Sequence, residues 1–196
     1  MTIRPARVDE SPVAARLHSA SITEGFLPRL GPRFLSRLYR RIVRDQHSFL
    51  LVAEDNGSIT GMIAGTEDVG ALYRRFARRD GIVAAALSAP AVLKNAASVV
   101  ETWRYGGAGG DDLPSAELLA IAIDDHARGQ GVGRALVAAL QEQFRVRGTE
   151  GVKVVVGAGN EPALELYRSS GFREVTTIEV HRDVTSKVLV WSPSSL

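Results

Sequence analysis

The chain has 196 residues, of which 45% are hydrophobic and 23% charged, a size and composition that fit one folded domain and exclude wholesale disorder. It contains no cysteine, which excludes disulfide scaffolds, cysteine nucleophiles and thiolate metal sites and fits a reducing, cytoplasmic setting. The net charge is only +2, weak support for a nucleic-acid partner, and none is expected.

Thr2–Val8 predicts a first strand, and Ser11–Ala20 a short helix with Pro12 near its start, where a missing N–H is tolerated. Met1–Glu10 is charged and lacks the apolar stretch of a secretory signal. Pro32–Asp45 predicts a second helix. Phe34, Leu35, Leu38, Tyr39 and Ile42 recur on one face of it, and Arg33, Arg37, Arg40, Arg41 and Arg44 fill the rest. Ser48–Glu54 and Ser58–Glu67 read as strands joined by Asp55-Asn56-Gly57, because Asn and Gly accept positive φ in a hairpin turn.

Residues 68–112 interrupt this alternation. They hold a helical Leu72–Arg79 and a longer helical segment near Pro90–Arg104, striped by Leu93, Ala96, Val100 and Trp103. They close on Gly106-Gly107-Ala108-Gly109-Gly110, a composition suited to a flexible tether. The segment reads as a helical insertion or lid within a single domain spanning 1–196, and its apolar stripe also suits a homodimer contact. The longest apolar run, Ile82–Leu93, contains Pro90 and is too short to span a membrane, so no membrane association is expected.

Beyond Ser115 the alternation resumes. Glu117–Ile123 is a strand and Gly131–Arg147 an amphipathic helix, with Val132, Leu136, Leu140 and Phe144 at i, i+4 spacing and Gly148 as its stop. Val152–Val156 reads as a short apolar strand buried on both faces. Glu161–Ser170 is a helix with Asn160 as N-cap, Pro162 in its first turn and Gly171 after its end. Phe172–Val180 and Lys187–Trp191 form a closing hairpin. The order implies an α/β fold, with a mixed central sheet of about seven strands flanked by helices.

The informative segment is the turn between Ile123 and Val132. An apolar strand, Ile121-Ala122-Ile123, runs into Arg128-Gly129-Gln130-Gly131-Val132-Gly133-Arg134 at a helix start. Such a turn gathers backbone N–H groups at the positive end of a helix dipole and favours an anion such as pyrophosphate; the plain alternative is a tight surface turn without a ligand. No GxxxxGK string is present, which rules out a Walker loop. A dinucleotide fingerprint would need a small residue at Leu136 and an acid at the end of the next strand, where none stands.

Arg128-Gly129-Gln130-Gly131-Val132-Gly133 resembles the acetyl-CoA-binding motif of the GCN5-related N-acetyltransferases: Gln or Arg, two residues, Gly, one residue, then Gly or Ala. Asn160 to Tyr167, followed by Gly171-Phe172, resembles the family's downstream element. The strong likeness covers residues 115–175. It implies the acyl-CoA N-acyltransferase fold, with acetyl-CoA as co-substrate and no metal. The implied activity transfers an acetyl group to a primary amine of a small-molecule acceptor. A protein or peptide acceptor, or a non-catalytic acetyl-CoA-binding regulatory module, are the alternatives.

The resemblance also implies that the fourth and fifth strands splay apart and admit the pantetheine arm. Backbone groups of Ile121, Ala122 and Ile123 would border it, and Gly129 to Arg134 would hold the pyrophosphate. Tyr167 matches the tyrosine that faces the CoA sulfur, against the alternative of a buried aromatic. Asn160 would cap its helix, contact the CoA arm, or both. Glu117 lies eleven residues before Arg128, the spacing of the catalytic glutamate in the histone-acetyltransferase branch. It is the leading base, with Glu67, Asp124 and His126 as rivals and an exposed strand-end carboxylate as the plain reading. The clusters Arg33 to Arg44 and Arg74, Arg75, Arg78, Arg79 read as solvated helix faces or as contacts to an acidic or phosphorylated acceptor. His18, His47 and His181 share no metal-ligand spacing.

Overall fold

A computed structural model of the chain describes residues 1–22, 30–87, 113–181 and 184–193. Seven strands form one sheet in the order β1-β2-β3-β4-β5-β7-β6. They are β1 Thr2–Pro5, β2 Ser48–Asp55, β3 Ser58–Thr66, β4 Ala116–Ile123, β5 Val152–Gly157, β6 Arg173–His181 and β7 Val184–Trp191. Every neighbouring pair is antiparallel except β4 and β5, which run parallel. The helices are α1 Ser11–Ser21, α2 Pro32–Arg44, α3 Val69–Leu87, α4 Val132–Val146 and α5 Glu161–Ser169.

Two cores sandwich the sheet. On one face α4 buries Val132, Leu136, Val137, Leu140 and Phe144 against β2–β5, and α5 adds Leu164 and Tyr167. Each such side chain contributes roughly 1.5–3 kcal/mol on burial. On the other face α1, α2 and α3 bury Ala14, Leu17, Leu35, Leu38, Ile42, Leu72 and Phe76 against Val52, Met62 and Ala122. The i, i+4 pattern of α4 and the apolar stripe of α2 therefore settle on opposite faces.

Local chemistry sets the element ends. Asn56 and Gly57 take φ of 47° and 77° at the β2–β3 turn, as their side chains allow. The first strand is shorter than expected, because Glu10 accepts from the Arg7 amide at 2.7 Å and holds a short turn at Val8–Glu10. β5 departs from the expected fully apolar strand: it contains Lys153, and Val155 is 37% exposed. The other strand–helix expectations hold to within a few residues.

The beginning of the 68–112 segment is integral to the helical layer. α3 starts at Val69 and is longer than the expected Leu72–Arg79. Phe76 meets Phe34 of α2 edge to face at 5.4 Å, Arg41 pairs with Asp80 at 2.5 Å, and Arg75 binds both oxygens of Asp45 at 2.6 and 3.1 Å. Arg75 is thus a structural clamp rather than a free cation for an acceptor. The helix expected at Pro90–Arg104, the glycine run, and the dimer contact expected of Leu93, Val100 and Trp103 lie outside the described residues. Among the described residues no helix is long and apolar enough to cross a membrane.

Candidate active site

The site begins with a bulge. Ala64 faces Ala120 and Gly65 faces Leu118, so Leu119 has no opposite residue on β3. One extra residue inverts the side-chain alternation of β4. Ala116 and Leu118 pack toward α4; Leu119, Ala120 and Ala122 pack toward α1–α3; Ile121 and Ile123 return to the α4 side.

β4 then parts from β5. The two pair only at Ala116–Val152 and Glu117–Lys153, while β4 stays on β3 to Ile123 and β5 stays on β7 to Gly157. The Asp124 amide donates to Thr60 O at 2.8 Å, toward β3. By strand alternation the backbone groups of Ile121 and Ile123 point the other way, into the gap. Ser21, at the end of α1, donates to Ile123 O at 3.0 Å. By the same alternation Ala122, two residues before Asp124, turns its backbone toward β3, and its side chain is buried on the α1–α3 side. Ile123 O thus has one donor already; Ile121 and the Ile123 amide have no strand partner on this side, and backbone of this kind suits an extended ligand added as a strand.

The gap opens toward the glycine turn. Asp124 accepts from the His126 amide at 3.0 Å and holds a short turn at Asp125–Ala127. Gln130 Nε2 donates to His126 O at 2.8 Å, and Arg128 pairs with Asp125 at 2.9 Å. Gly131 caps α4 with φ 82°, a conformation that costs a side-chain residue, and no atom stands within 4 Å of a Cβ placed there or at Gly129. The first bond back into the helix is from the Ala135 amide to Gly131 O at 3.1 Å, so the amides of Val132, Gly133 and Arg134 precede it and are free for an anion. Gly133 is needed for another reason: a Cβ there would lie 3.1 Å from Ile123 Cδ1 and 3.3 Å from Leu166 Cδ2, so its absence lets α4 start close to β4 and α5. Arg134 is exposed and has no ion-pair partner among the described residues.

At the apex of the gap stands Glu117, its side chain 17% exposed. Burial pushes its carboxyl up to about 7, while the Lys153 ammonium 3.9 Å away pulls it down. Lys153 is itself anchored by donating to Pro114 O at 2.6 Å. Burial raises the Tyr73 phenol of α3 above the ordinary tyrosine range, and the Glu117 charge adds to the effect. Glu117 is thus poised near neutrality.

The rivals are engaged elsewhere. Glu67 meets Arg147 at 2.6 Å and His47 at 3.0 Å; burial pushes its carboxyl up, but these hydrogen bonds hold it below the usual range. Asp124 caps the turn, and His126 is exposed in it. Tyr167 is buried beside Phe172 at 5.6 Å, and burial raises its phenol so that it keeps its proton at neutral pH. No partner for its hydroxyl is found among the described residues. Asn160 Oδ1 accepts from the Ala163 amide at 3.2 Å, the capping role. No group of three His, Asp or Glu among the described residues is placed to hold a metal.

Glu117, the splayed backbone and the glycine turn are therefore collected along one side of β4. Sequence reasoning missed Lys153, Tyr73, Ser21 and the bulge at Leu119. A lysine within a run of valines was the available signal for the first; nothing local marks the others.

The chain is similar in sequence and in fold to known acetyltransferases. Over 74 residues the chain is 38% identical to a mycothiol acetyltransferase of Saccharomonospora viridis, covering 38% of this chain and 22% of that one. Over 64 residues it is 41% identical to the ribosomal protein bS18 alanine N-acetyltransferase of Escherichia coli, covering 33% and 43%. The chain thus spans less than half the length of these relatives. In fold, it superposes on yncA of Salmonella typhimurium, solved with its cofactor acetyl-CoA, with a TM-score of 0.64 at 17% identity, covering 100% of this chain and 95% of that one. The ribosomal-protein-alanine N-acetyltransferase of Brucella melitensis gives the same TM-score at 20% identity, covering 98% and 99%. The sequence pattern of the acetyltransferase (GNAT) family matches residues 16–172, and the chain belongs to that family.

Proposed function

We propose that the protein is an acetyl-CoA-dependent N-acetyltransferase acting on a primary amine of a small-molecule acceptor. The observation that carries this reading is the gap between β4 and β5, which joins open strand backbone, an anion-ready helix start and a carboxyl poised near neutrality. Bound acetyl-CoA supplies the acetyl thioester. Ile121 and Ile123 would hold its extended arm by backbone hydrogen bonds, and the amides from Gly129 to Arg134, with the Arg128 and Arg134 side chains, its phosphates.

A protonated amine has a pKa near 10 and must lose a proton before it attacks. Glu117 would take that proton, directly or through one water, and the buried Tyr167 hydroxyl would deliver one to the departing thiolate. Ser21 fixes the end of β4 through Ile123 O. The likeness to alanine N-acetyltransferases of ribosomal proteins favours a second reading, a peptide N-terminal amine. Thiol release from acetyl-CoA over a panel of amino sugars, polyamines, amino acids and peptides tests both. Release with a small amine supports the first, release with peptides alone the second, and none with any amine leaves a binding module.

Two variants test the parts. Gly131→Asp places a carboxylate where a phosphate should sit. Because Asp tolerates positive φ better than most residues and the site is open, the fold is expected to persist. Acetyl-CoA affinity should fall at least tenfold, about 1.4 kcal/mol, by calorimetry; wild-type affinity in a folded variant would exclude the turn as the phosphate site. Lys153→Met keeps the volume and removes the charge facing Glu117. The remaining neighbour with a titratable group, Tyr73, is neutral there. The acid limb of kcat/KM should then move to higher pH by roughly one unit, whereas an unmoved limb would separate Glu117 from the titration.

A further inference from the structure

A second concentration of chemistry lies away from the β4–β5 gap, on the outer side of the α1–α2 layer. Pro12 and Arg16 of α1, with Pro32, Arg33, Ser36, Arg37 and Arg40 of α2, line a cleft of about 350 Å³. Its lining contains four guanidinium groups and no acid. Elsewhere the arginines that touch the body of the protein are relieved by carboxylates: Arg4 by Glu10 and Glu54, Arg41 by Asp80, Arg75 by Asp45, Arg147 by Glu67. In the cleft, Arg16, Arg33 and Arg40 have no acidic partner among the described residues. Arg37 reaches Asp80 only at 3.4 Å, with its Nε buried and without a hydrogen bond, because Arg41 holds the same carboxylate closer.

Two helices thus bring like charges into one concavity, three of them without an acidic partner among the described residues, an arrangement that favours entry of an anion. Arginine suits phosphate oxygens through its planar fork. Arg33 and Arg40 are seven residues apart, about 10 Å along the helix axis, so they address more than a single phosphate group. Ser36 between them offers a hydroxyl, and the volume suits a small molecule rather than a flat protein face.

We propose that the α1–α2 cleft is a binding site for a small ligand carrying a chain of two or more phosphates. The site is separate from the one that would hold acetyl-CoA, and it stands whether or not the acetyl-transfer reading does. Free polyphosphate and the phosphate chain of a nucleotide share the chemistry.

The test is calorimetric titration of the full chain with inorganic tripolyphosphate at low salt, acetyl-CoA being present in excess so that the glycine turn is taken. Saturable binding is expected, weakened at least tenfold in Arg33→Glu/Arg40→Glu, with acetyl-CoA affinity unchanged. Both side chains are exposed and have no ion-pair partner among the described residues, and Arg33→Gln/Arg40→Gln serves if charge reversal disturbs the fold. A nucleoside triphosphate that competes more strongly than tripolyphosphate makes the ligand a nucleotide; weaker competition makes it the bare phosphate chain. No saturable binding, or binding that survives both double variants, overturns the proposal. Displacement by a short single-stranded RNA at concentrations below those of tripolyphosphate overturns the small-ligand assignment in favour of a nucleic acid.

Discussion

Glu117→Gln is expected to reduce amine acetylation by about 10²-fold or more while acetyl-CoA affinity is kept. The amide preserves shape but cannot take a proton at neutral pH, and Lys153 keeps its hydrogen bond to Pro114 O. The same substitution carries an independent signature in stability. Burial raises the folded pKa to about 7 from an ordinary 4.5, so the folded chain binds the proton more tightly than the unfolded chain between those values. The contribution of the protonated carboxyl to stability is complete at low pH and is lost as pH rises through about 7. Above that, the wild type carries a largely buried carboxylate that glutamine lacks. The variant should therefore melt higher than wild type, by roughly a few degrees, near pH 8 and about equally near pH 4. Lower activity with higher stability is the pattern of a desolvated catalytic base. Normal activity and an unchanged melting temperature at both pH values would reduce Glu117 to a strand-end carboxylate.

Tyr167→Phe is expected to lower turnover by about 10²-fold with little change in acetyl-CoA affinity, read by single-turnover thiol release. The ring packs with Phe172 in the core, so removing only the hydroxyl leaves the packing intact. The buried phenol holds its proton across the working pH range, which makes it a donor and not a second base. The two variants should differ in their pH profiles: Glu117→Gln removes the acid limb, and Tyr167→Phe lowers the plateau and leaves that limb in place. Near-normal turnover in Tyr167→Phe, where chemistry limits the rate, would make the tyrosine a packing residue.

The parts of the molecule legible in the sequence are those governed by local rules. The i, i+4 spacing of Val132, Leu136, Leu140 and Phe144, the Asn56-Gly57 turn, the Asn160 cap and the glycines at 129 and 131 each announce their conformation through their own chemistry. Glu117 was singled out through the family resemblance, by its place eleven residues before Arg128, and the turn by its glycines at a helix start. Other features depend on partners distant in sequence. The bulge at Leu119 exists only in the register against β3, and Lys153 meets Glu117 only because β4 and β5 pair for two rungs before parting. Arg75 gave the same signal as the other arginines of its cluster, yet Asp45, thirty residues away, turns it into a clamp. Periodicity assigns a face to each side chain; it does not say which charge will be waiting on the neighbouring element.

The most direct measurement on acetyl-CoA binding in the β4–β5 gap is residue-resolved amide exchange of the protein with and without acetyl-CoA. Slower exchange on binding is expected at Ile121 and Ile123, where the open edge of β4 gains partners, and at residues 129–134 around the helix start. The amides of β1, at the edge of the sheet and separated from β4 by β2 and β3, should not change. Binding that leaves Ile121 and Ile123 exchanging at their free rates would contradict insertion of the ligand beside β4.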